Sequence, residues 1–123
     1  MIKELKSGEQ VYYVTDMDLG ERDSVFAPFF GVQTATITGL SRIAALAHAV
    51  IVPCVTRQLP GGAGYVVTLY PAWNNYPSAD PAADAQRMIA LIEARVREMP
   101  EQYYWLHKRV KTRPPGEPNP YTQ

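Results

Sequence analysis

Two segments of the chain carry apolar residues at the spacing of an amphipathic helix. Within residues 36–48, apolar side chains collect on one face and polar ones on the opposite face, so the pattern predicts a helix there. A second helical pattern follows Asp80 and Pro81 and ends before Pro100. Because Asp favours the N-cap and Pro favours the first helical position, we predict that this helix begins at Pro81.

Four shorter segments are rich in β-branched and aromatic residues and are predicted to be strands: 11–14, 25–30, 50–55 and 65–70. Pro28 interrupts the second of them, which is therefore either an edge strand or an irregular extended segment. The third is apolar throughout, as in a strand that is buried on both faces. Turn residues at 59–64 predict a hairpin between 50–58 and 64–71.

The order of these elements predicts the fold class. With the end of a helix at residues 2–7, the order β-β-α-β-β-α predicts an α/β fold with a mixed β-sheet and flanking helices. The length suits one domain, which we assign to residues 1–113, and the proline-rich residues 114–123 predict an extended or disordered tail. No apolar run reaches the roughly 18 residues of a membrane span, and the N-terminus is polar, so the sequence predicts a soluble chain without a signal peptide.

The charged side chains are unevenly distributed, and the C-terminal part of the chain is basic. Twelve basic and twelve acidic side chains cancel, so no global field directs the protein to nucleic acid. From His107 to Arg113, however, there are four Lys or Arg and no acid. The single cysteine, Cys54, cannot form an intramolecular disulfide, and its apolar surroundings indicate a buried small side chain.

Aromatic residues precede this basic segment directly. Tyr103, Tyr104 and Trp105 are followed by the cations, a combination that suits an anionic, amphiphilic target such as phosphorylated lipid or nucleic acid. The aromatics lie ahead of the charges instead of across a strand face, and the net charge is zero, so lipid is favoured over RNA. Two alternatives stay open: the aromatics pack against the sheet, and the cations form a solvated tail.

Three blocks of the sequence then point to a family. Residues 12–20, 24–31 and 100–114, in this order, resemble the lipid A biosynthesis acyltransferases of Gram-negative bacteria, within the lysophospholipid acyltransferase superfamily. The resemblance implies a partial acyltransferase fold and transfer of a fatty acyl chain from acyl carrier protein to a hydroxyl of a lipid A precursor. It also implies that the enzyme acts at the cytoplasmic face of the inner membrane and contacts an anionic membrane surface. No cofactor, metal or nucleic acid is expected.

The histidines depart from the pattern of that family. Its catalytic motif is a histidine and an acidic residue with four residues between them, because a hydroxyl needs a base to become a nucleophile. At this spacing His48 is followed by Pro53 and His107 by Thr112, neither of which is acidic. The resemblance places the motif before Met1, together with a membrane-spanning helix. The expectation is therefore a C-terminal fragment that is inactive alone, and the alternative is a non-catalytic domain that binds anionic lipid or RNA.

The resemblance also implies site residues. Residues 14–16 fall where the superfamily has a block that helps to hold the acceptor, so Asp16 or Asp18 is the candidate acidic site residue. Both could instead bind their own backbone, as Asp does in turns. The candidates for binding phosphate or anionic head groups are Arg22, His107, Lys108, Arg109, Lys111 and Arg113. For Arg22 a solvated surface charge is the alternative.

Overall fold

The computed structural model describes residues 1–122, in which three α-helices flank two antiparallel strand pairs. In chain order the elements are α1 (Ile2–Lys6), β1 (Ser24–Phe29), β2 (Val32–Ile37), α2 (Gly39–Ala47), β3 (Cys54–Gln58), β4 (Tyr65–Leu69) and α3 (Pro81–Glu98). Short 3-10 turns span Pro60–Gly62 and Pro100–Gln102. The predicted α/β class is confirmed. Within the described residues β1 pairs with β2 and β3 with β4, as two separate pairs.

Helix α3 begins and ends where its sequence predicts. The Asp80 carboxylate caps it by accepting hydrogen bonds from the backbone N–H groups of Ala82 (2.9 Å) and Ala83 (3.2 Å). Its apolar face packs on β1, and Ile89 is fully buried there with Ala27 and Phe29. The predicted helix, observed over residues 81–98, is therefore the element around which the core forms.

The β1–β2 hairpin corrects one predicted boundary. Phe30 and Gly31 both have positive φ, as a tight two-residue hairpin turn requires, and β1 is the edge strand that Pro28 allows. Residues 36 and 37 were expected in a helix, but they belong to β2 and pair with β1. Helix α2 therefore begins at Gly39, because strand pairing overrides the helical period of these two residues.

The second hairpin is confirmed, but the predicted strand at 11–14 is wrong, and of the predicted strand at 50–55 only residues 54 and 55 are in a strand. Residues 54–58 pair with 65–69 around the predicted turn. Residues 50–53, however, have no regular secondary structure, and 69% of Val50 and 47% of Val52 is exposed. Residues 11–14 are also irregular. A strand is stable only when a neighbouring segment satisfies its backbone groups. The described residues offer no such backbone partner to residues 11–14, whereas the carbonyls of Pro53 and Ile51 accept the N–H groups of Tyr70 and Trp73, both at 2.9 Å, without forming a regular strand.

The C-terminal residues lie against the domain. Tyr121 places its ring 5.8 Å from the Lys108 ammonium, and its hydroxyl lies 3.5 Å from the backbone nitrogen of Val110. Residues 114–122 contain turns, and Gln123 of the predicted tail lies outside the described residues. The division at residue 113 stays a prediction. Between residues 1 and 122 no helix has the length and apolarity needed to cross a bilayer.

Candidate functional site

Arg109 is buried, although the sequence suggested a surface cation. Its exposed fraction is 2%. Nε donates to Asp16 Oδ1 at 3.0 Å, Nη1 to the carbonyl oxygen of Ala35 at 3.0 Å, and Nη2 to Thr36 Oγ1 at 3.1 Å. The guanidinium also lies 5.4 Å from the ring centre of Phe29. We call Arg109, Asp16, Ala35 and Thr36 the Arg109 clamp, because it joins three distant segments through one planar donor group.

Asp18 makes a second connection between the same segments. Its Oδ2 accepts the backbone N–H of Thr112 at 2.8 Å, and its Oδ1 accepts the N–H of Gly20 at 3.0 Å. The backbone of Thr112 continues onto β2, where its carbonyl accepts the N–H of Ala35 at 2.9 Å. The bond to Gly20 is the local turn bond expected of Asp. The bond to Thr112 is long-range and fastens the loop at 15–20 to the C-terminal segment.

Tyr103 connects Asp16 to His107. The Tyr103 hydroxyl lies 3.3 Å from His107 Nε2. Burial and then the hydrogen bond to the Asp16 carboxylate raise the pKa of the Tyr103 phenol above its usual range, so the phenol stays protonated. Which of the Tyr103 hydroxyl and His107 Nε2 donates to the other depends on the tautomer of the imidazole. The structure brings Asp16, Tyr103, His107 and Arg109 together beside the cavity.

The aromatic cluster divides between core and surface. Tyr103 is half-buried against Phe29 of the core. Tyr104 and Trp105 are 65% and 53% exposed, and the following Leu106 is 84% exposed. The Trp105 indole N–H is satisfied by the carbonyl of Pro100 at 2.7 Å. One ring therefore packs as core, while its two neighbours leave large apolar surfaces in solvent.

The other predicted cations have different surroundings. Lys108 and Lys111 are exposed, and Arg22 is almost fully so, with a side-chain exposure of 96%. Arg113 is held inward, since its Nε donates to the carbonyl of Gln33 at 2.7 Å and its Nη2 lies 3.3 Å from Glu117. Arg22 lies far along the chain from the basic segment, beside Asp23 at 3.8 Å. Of the basic segment, the two lysines present their charge to solvent.

An apolar cavity of about 450 Å³ lies beside Asp16 and Tyr103. One wall is the irregular segment 11–16, another is residues 50–56, and the floor is one face of α3 around Leu91. Arg95 reaches its rim, where it donates to the Tyr70 hydroxyl at 2.8 Å. Within residues 1–122 no three His, Cys, Asp or Glu side chains come together as a metal site would require. The arrangement offers apolar contact with one carboxylate at its border.

Sequence reasoning missed the polar groups that hold Arg109. Thr34 and Thr36 are fully buried in β2, and the Thr34 hydroxyl lies 3.2 Å from the Arg109 carbonyl. Two threonines in a β-rich segment carry no signal that an arginine from more than 70 residues away will bond to both of them. Gln102 was missed as well, and its amide bonds the backbone of Gln58.

Comparisons with known proteins agree with the resemblance seen in the sequence. A sequence model of the bacterial lipid A biosynthesis acyltransferases matches residues 1–112. The lipid A biosynthesis lauroyltransferase of Escherichia coli (strain K12) is 45% identical over 122 residues, which are 98% of this chain and 40% of the relative. A lipid A biosynthesis acyltransferase of Haemophilus influenzae is 38% identical over 116 residues, 94% of this chain and 36% of the relative.

A third relative extends the pattern. The lipid A biosynthesis palmitoleoyltransferase of Escherichia coli (strain K12) is 37% identical over 118 residues, 95% of this chain and 38% of that protein. The chain therefore spans about two fifths of the length of these curated relatives.

Proposed function

Because the chain belongs to the bacterial lipid A biosynthesis acyltransferase family, we propose that it is part of an enzyme that transfers a fatty acyl chain from acyl carrier protein to a hydroxyl of a lipid A precursor. The observation that carries this proposal is the family match over residues 1–112, nearly the whole chain. The relatives are named for transfer of lauroyl and palmitoleoyl groups in lipid A biosynthesis, which supports the same reaction class here. The site of action would be the cytoplasmic face of the inner membrane.

The exposed lysines are the residues we assign to the phosphorylated substrate or the anionic membrane surface. Lys108 and Lys111 follow the exposed rings of Tyr104 and Trp105 and the exposed Leu106. Trp and Tyr side chains favour the bilayer interface, and nearby cations are attracted to its phosphates. His107 and Arg113 border this surface, whereas Arg109 supports it from inside. Arg22 stays a candidate phosphate ligand that is separate from the basic segment.

Asp16 and Asp18 have positioning roles in this proposal. The carboxylate of Asp16 lies at the cavity, where it is held by Arg109. Asp18 fastens the loop through Thr112. Neither aspartate contacts a histidine that could act as a general base, and neither histidine has an acid at the family spacing. We infer that these 123 residues contribute substrate surfaces but no general base, and that the chain by itself transfers no acyl group.

A chimera tests the function directly. The chain replaces the matched two fifths of the Escherichia coli lauroyltransferase, and acyl transfer from acyl carrier protein to a lipid A precursor is measured. We expect transfer by the chimera and none by the isolated chain. A folded but inactive chimera would contradict the proposed function, and turnover by the isolated chain would contradict the absence of a base.

A nucleic-acid-binding module is the second candidate, and vesicles separate it from the first. We expect the chain to bind anionic vesicles, with a blue shift of tryptophan fluorescence and weaker binding at high salt. Replacing Lys108 and Lys111 with Gln should weaken binding, while the same change at Lys3 and Lys6, also exposed cations, is the matched control. Tight binding of single-stranded RNA without vesicle binding would favour the nucleic-acid reading.

A further inference from the structure

Among residues 1–122, no strand lies beside one edge of β3. In an antiparallel pair, alternate residues exchange backbone hydrogen bonds with the partner strand and the others direct their N–H and C=O groups away from it. The bonds from Leu59 N to Gly64 O (2.8 Å) and from Tyr70 N to Pro53 O (2.9 Å) fix the register. Odd-numbered residues of β3 therefore face β4, and Cys54, Thr56 and Gln58 direct their backbone groups to the opposite, outward edge.

The side chain of Gln102 occupies one end of this outward edge. Its Oε1 accepts the Gln58 N–H at 2.8 Å, and its Nε2 donates to the Gln58 carbonyl at 3.1 Å. A side-chain amide with this two-bond pattern imitates the peptide group of a neighbouring strand. Gln102 shows that the edge is accessible in the plane of the sheet and has the geometry for strand pairing. Within residues 1–122, β3 pairs with no strand except β4, so Cys54 and Thr56 have no strand partner at this edge.

The outward edge runs along the apolar cavity. Gln102, Cys54 and Thr56 all line it, and the opposite wall is the segment 11–16. The two segments predicted to be strands and found irregular, 11–14 and 50–53, both border this same space. Their side chains favour strands. Among the described residues, 11–14 have no backbone partner, and 50–53 have one only on the side of Tyr70 and Trp73. A single added strand in this space would supply one to both sides.

We propose that the outward edge of β3 is a docking surface for one further β-strand, with apolar residues at alternate positions, which pairs with residues 52–56 and ends at Gln102. The strand comes from the part of the lipid A acyltransferase chain that lies outside the match, which is about three fifths of the lauroyltransferase. This origin rests on the proposed function. Its apolar character follows from residues 50–56, which carry no charged side chain and are partly exposed.

A second copy of this chain fits the edge less well. Pairing of two β3 strands about a twofold axis at Val55 would place Gln58 of each copy opposite Val52 of the other. The Gln102 side chain already occupies the plane of the sheet at Gln58, so it would block both ends of such a pair. A strand that stops at Gln102 avoids this conflict.

Proline substitutions test the edge, because proline removes one backbone donor. Thr56→Pro removes an N–H that points outward, and Thr56→Val keeps it with a similar shape. Val55→Pro removes an N–H that points to Thr68 of β4. In the isolated chain we expect Thr56→Pro to have a melting temperature close to that of Thr56→Val, since edge strands tolerate proline. The melting temperature of Val55→Pro should be far lower.

The chimera with the lauroyltransferase supplies the docking strand. There we expect Thr56→Pro to lower the melting temperature by about 5 °C or more relative to Thr56→Val, with hydrogen exchange at Cys54 and Thr56 slower than in the isolated chain. An active wild-type chimera that tolerates Thr56→Pro would overturn the docking strand and leave the proposed function standing. A wild-type chimera that does not fold or transfer would contradict the function itself. Self-association of the isolated chain that Thr56→Pro abolishes would assign the edge to a second copy and overturn the proposal.

Discussion

Replacing Arg109 with methionine is expected to destabilise the fold strongly, because the Arg109 clamp is inside the protein. Methionine keeps much of the length and apolar volume of the side chain and removes the charge and all three donors. The Asp16 carboxylate, whose side chain is 20% exposed, then loses its ion pair. The carbonyl of Ala35 and the hydroxyl of Thr36 each lose a donor.

The magnitude follows from what is left unpaired. Breaking a buried ion pair by removing one partner costs about 3–5 kcal/mol, and the partial exposure of Asp16 favours the lower end of that range. Each neutral acceptor that loses its donor adds about 1 kcal/mol, although the Thr36 hydroxyl keeps its own bond to the Thr34 carbonyl at 3.2 Å. We therefore expect a loss of about 4 kcal/mol in the free energy of unfolding. The free energy of unfolding of Arg109→Lys should lie between those of the wild type and Arg109→Met, since one ammonium cannot donate to three separated acceptors.

Urea unfolding followed by circular dichroism measures this loss, with Arg22→Met as the matched control. Arg22 is exposed and has a single weak ion pair, so its replacement should stay within about 0.5 kcal/mol. Adding Asp16→Asn to the wild type and to Arg109→Met completes a double-mutant cycle, which isolates the interaction energy between Arg109 and Asp16. A cost below about 1 kcal/mol for Arg109→Met, together with weaker vesicle binding, would refute the clamp and restore Arg109 as a surface cation.

Three further changes have expected outcomes in the same unfolding assay. Asp80→Ala removes the cap of α3 and should cost about 1 kcal/mol, and an unchanged stability would contradict the capping role. Asp18→Ala leaves two backbone donors without an acceptor and should lower the free energy of unfolding by about 1–3 kcal/mol. A decrease as small as that for an exposed aspartate would contradict the role of Asp18 in fastening the loop. The raised pKa of Tyr103 means that the unfolded chain ionises first as the pH rises past about 10, so stability is complete below that pH and declines above it. Tyr103→Phe should make this alkaline decline shallower, and an identical decline in both proteins would count against the burial of the phenol.

The elements that were predictable from sequence are those fixed by local interactions. The Asp80 cap, the first-position proline and the period of α3 lie within one helix, so they determine it without help from the rest of the chain. The turn residues at 59–64 likewise set the second hairpin. The predicted start of α2 is three residues too early, because residues 36 and 37 pair with β1 and the helical period of one segment contains no information about that pairing.

The strands and the site depended on distant partners. Residues 11–14 have strand composition, but pairing is a property of two segments, and composition describes one. Arg109 reaches Asp16 across 93 positions and Thr36 across 73. A cation in a basic run is exposed on average, and only the arrival of a carboxylate and two β2 oxygens makes its burial favourable. Sequence therefore identified the charged segment and could not tell which of its charges face inward.

That distinction changes how strongly the basic segment can attract an anionic surface. Four exposed cations at about 1 kcal/mol each would give about 4 kcal/mol, or nearly a thousandfold in affinity. With Arg109 buried and Arg113 bonded to Gln33 and Glu117, two lysines remain, which gives about 2 kcal/mol or roughly thirtyfold. The proposed membrane binding therefore requires more than charge, and the exposed side chains at 104–106 are the groups that would supply the rest. In the proposed function the basic segment therefore has two parts: Arg109 fastens the loop that borders the cavity and Arg113 bonds β2, while Lys108 and Lys111 are the cations proposed to meet the phosphates.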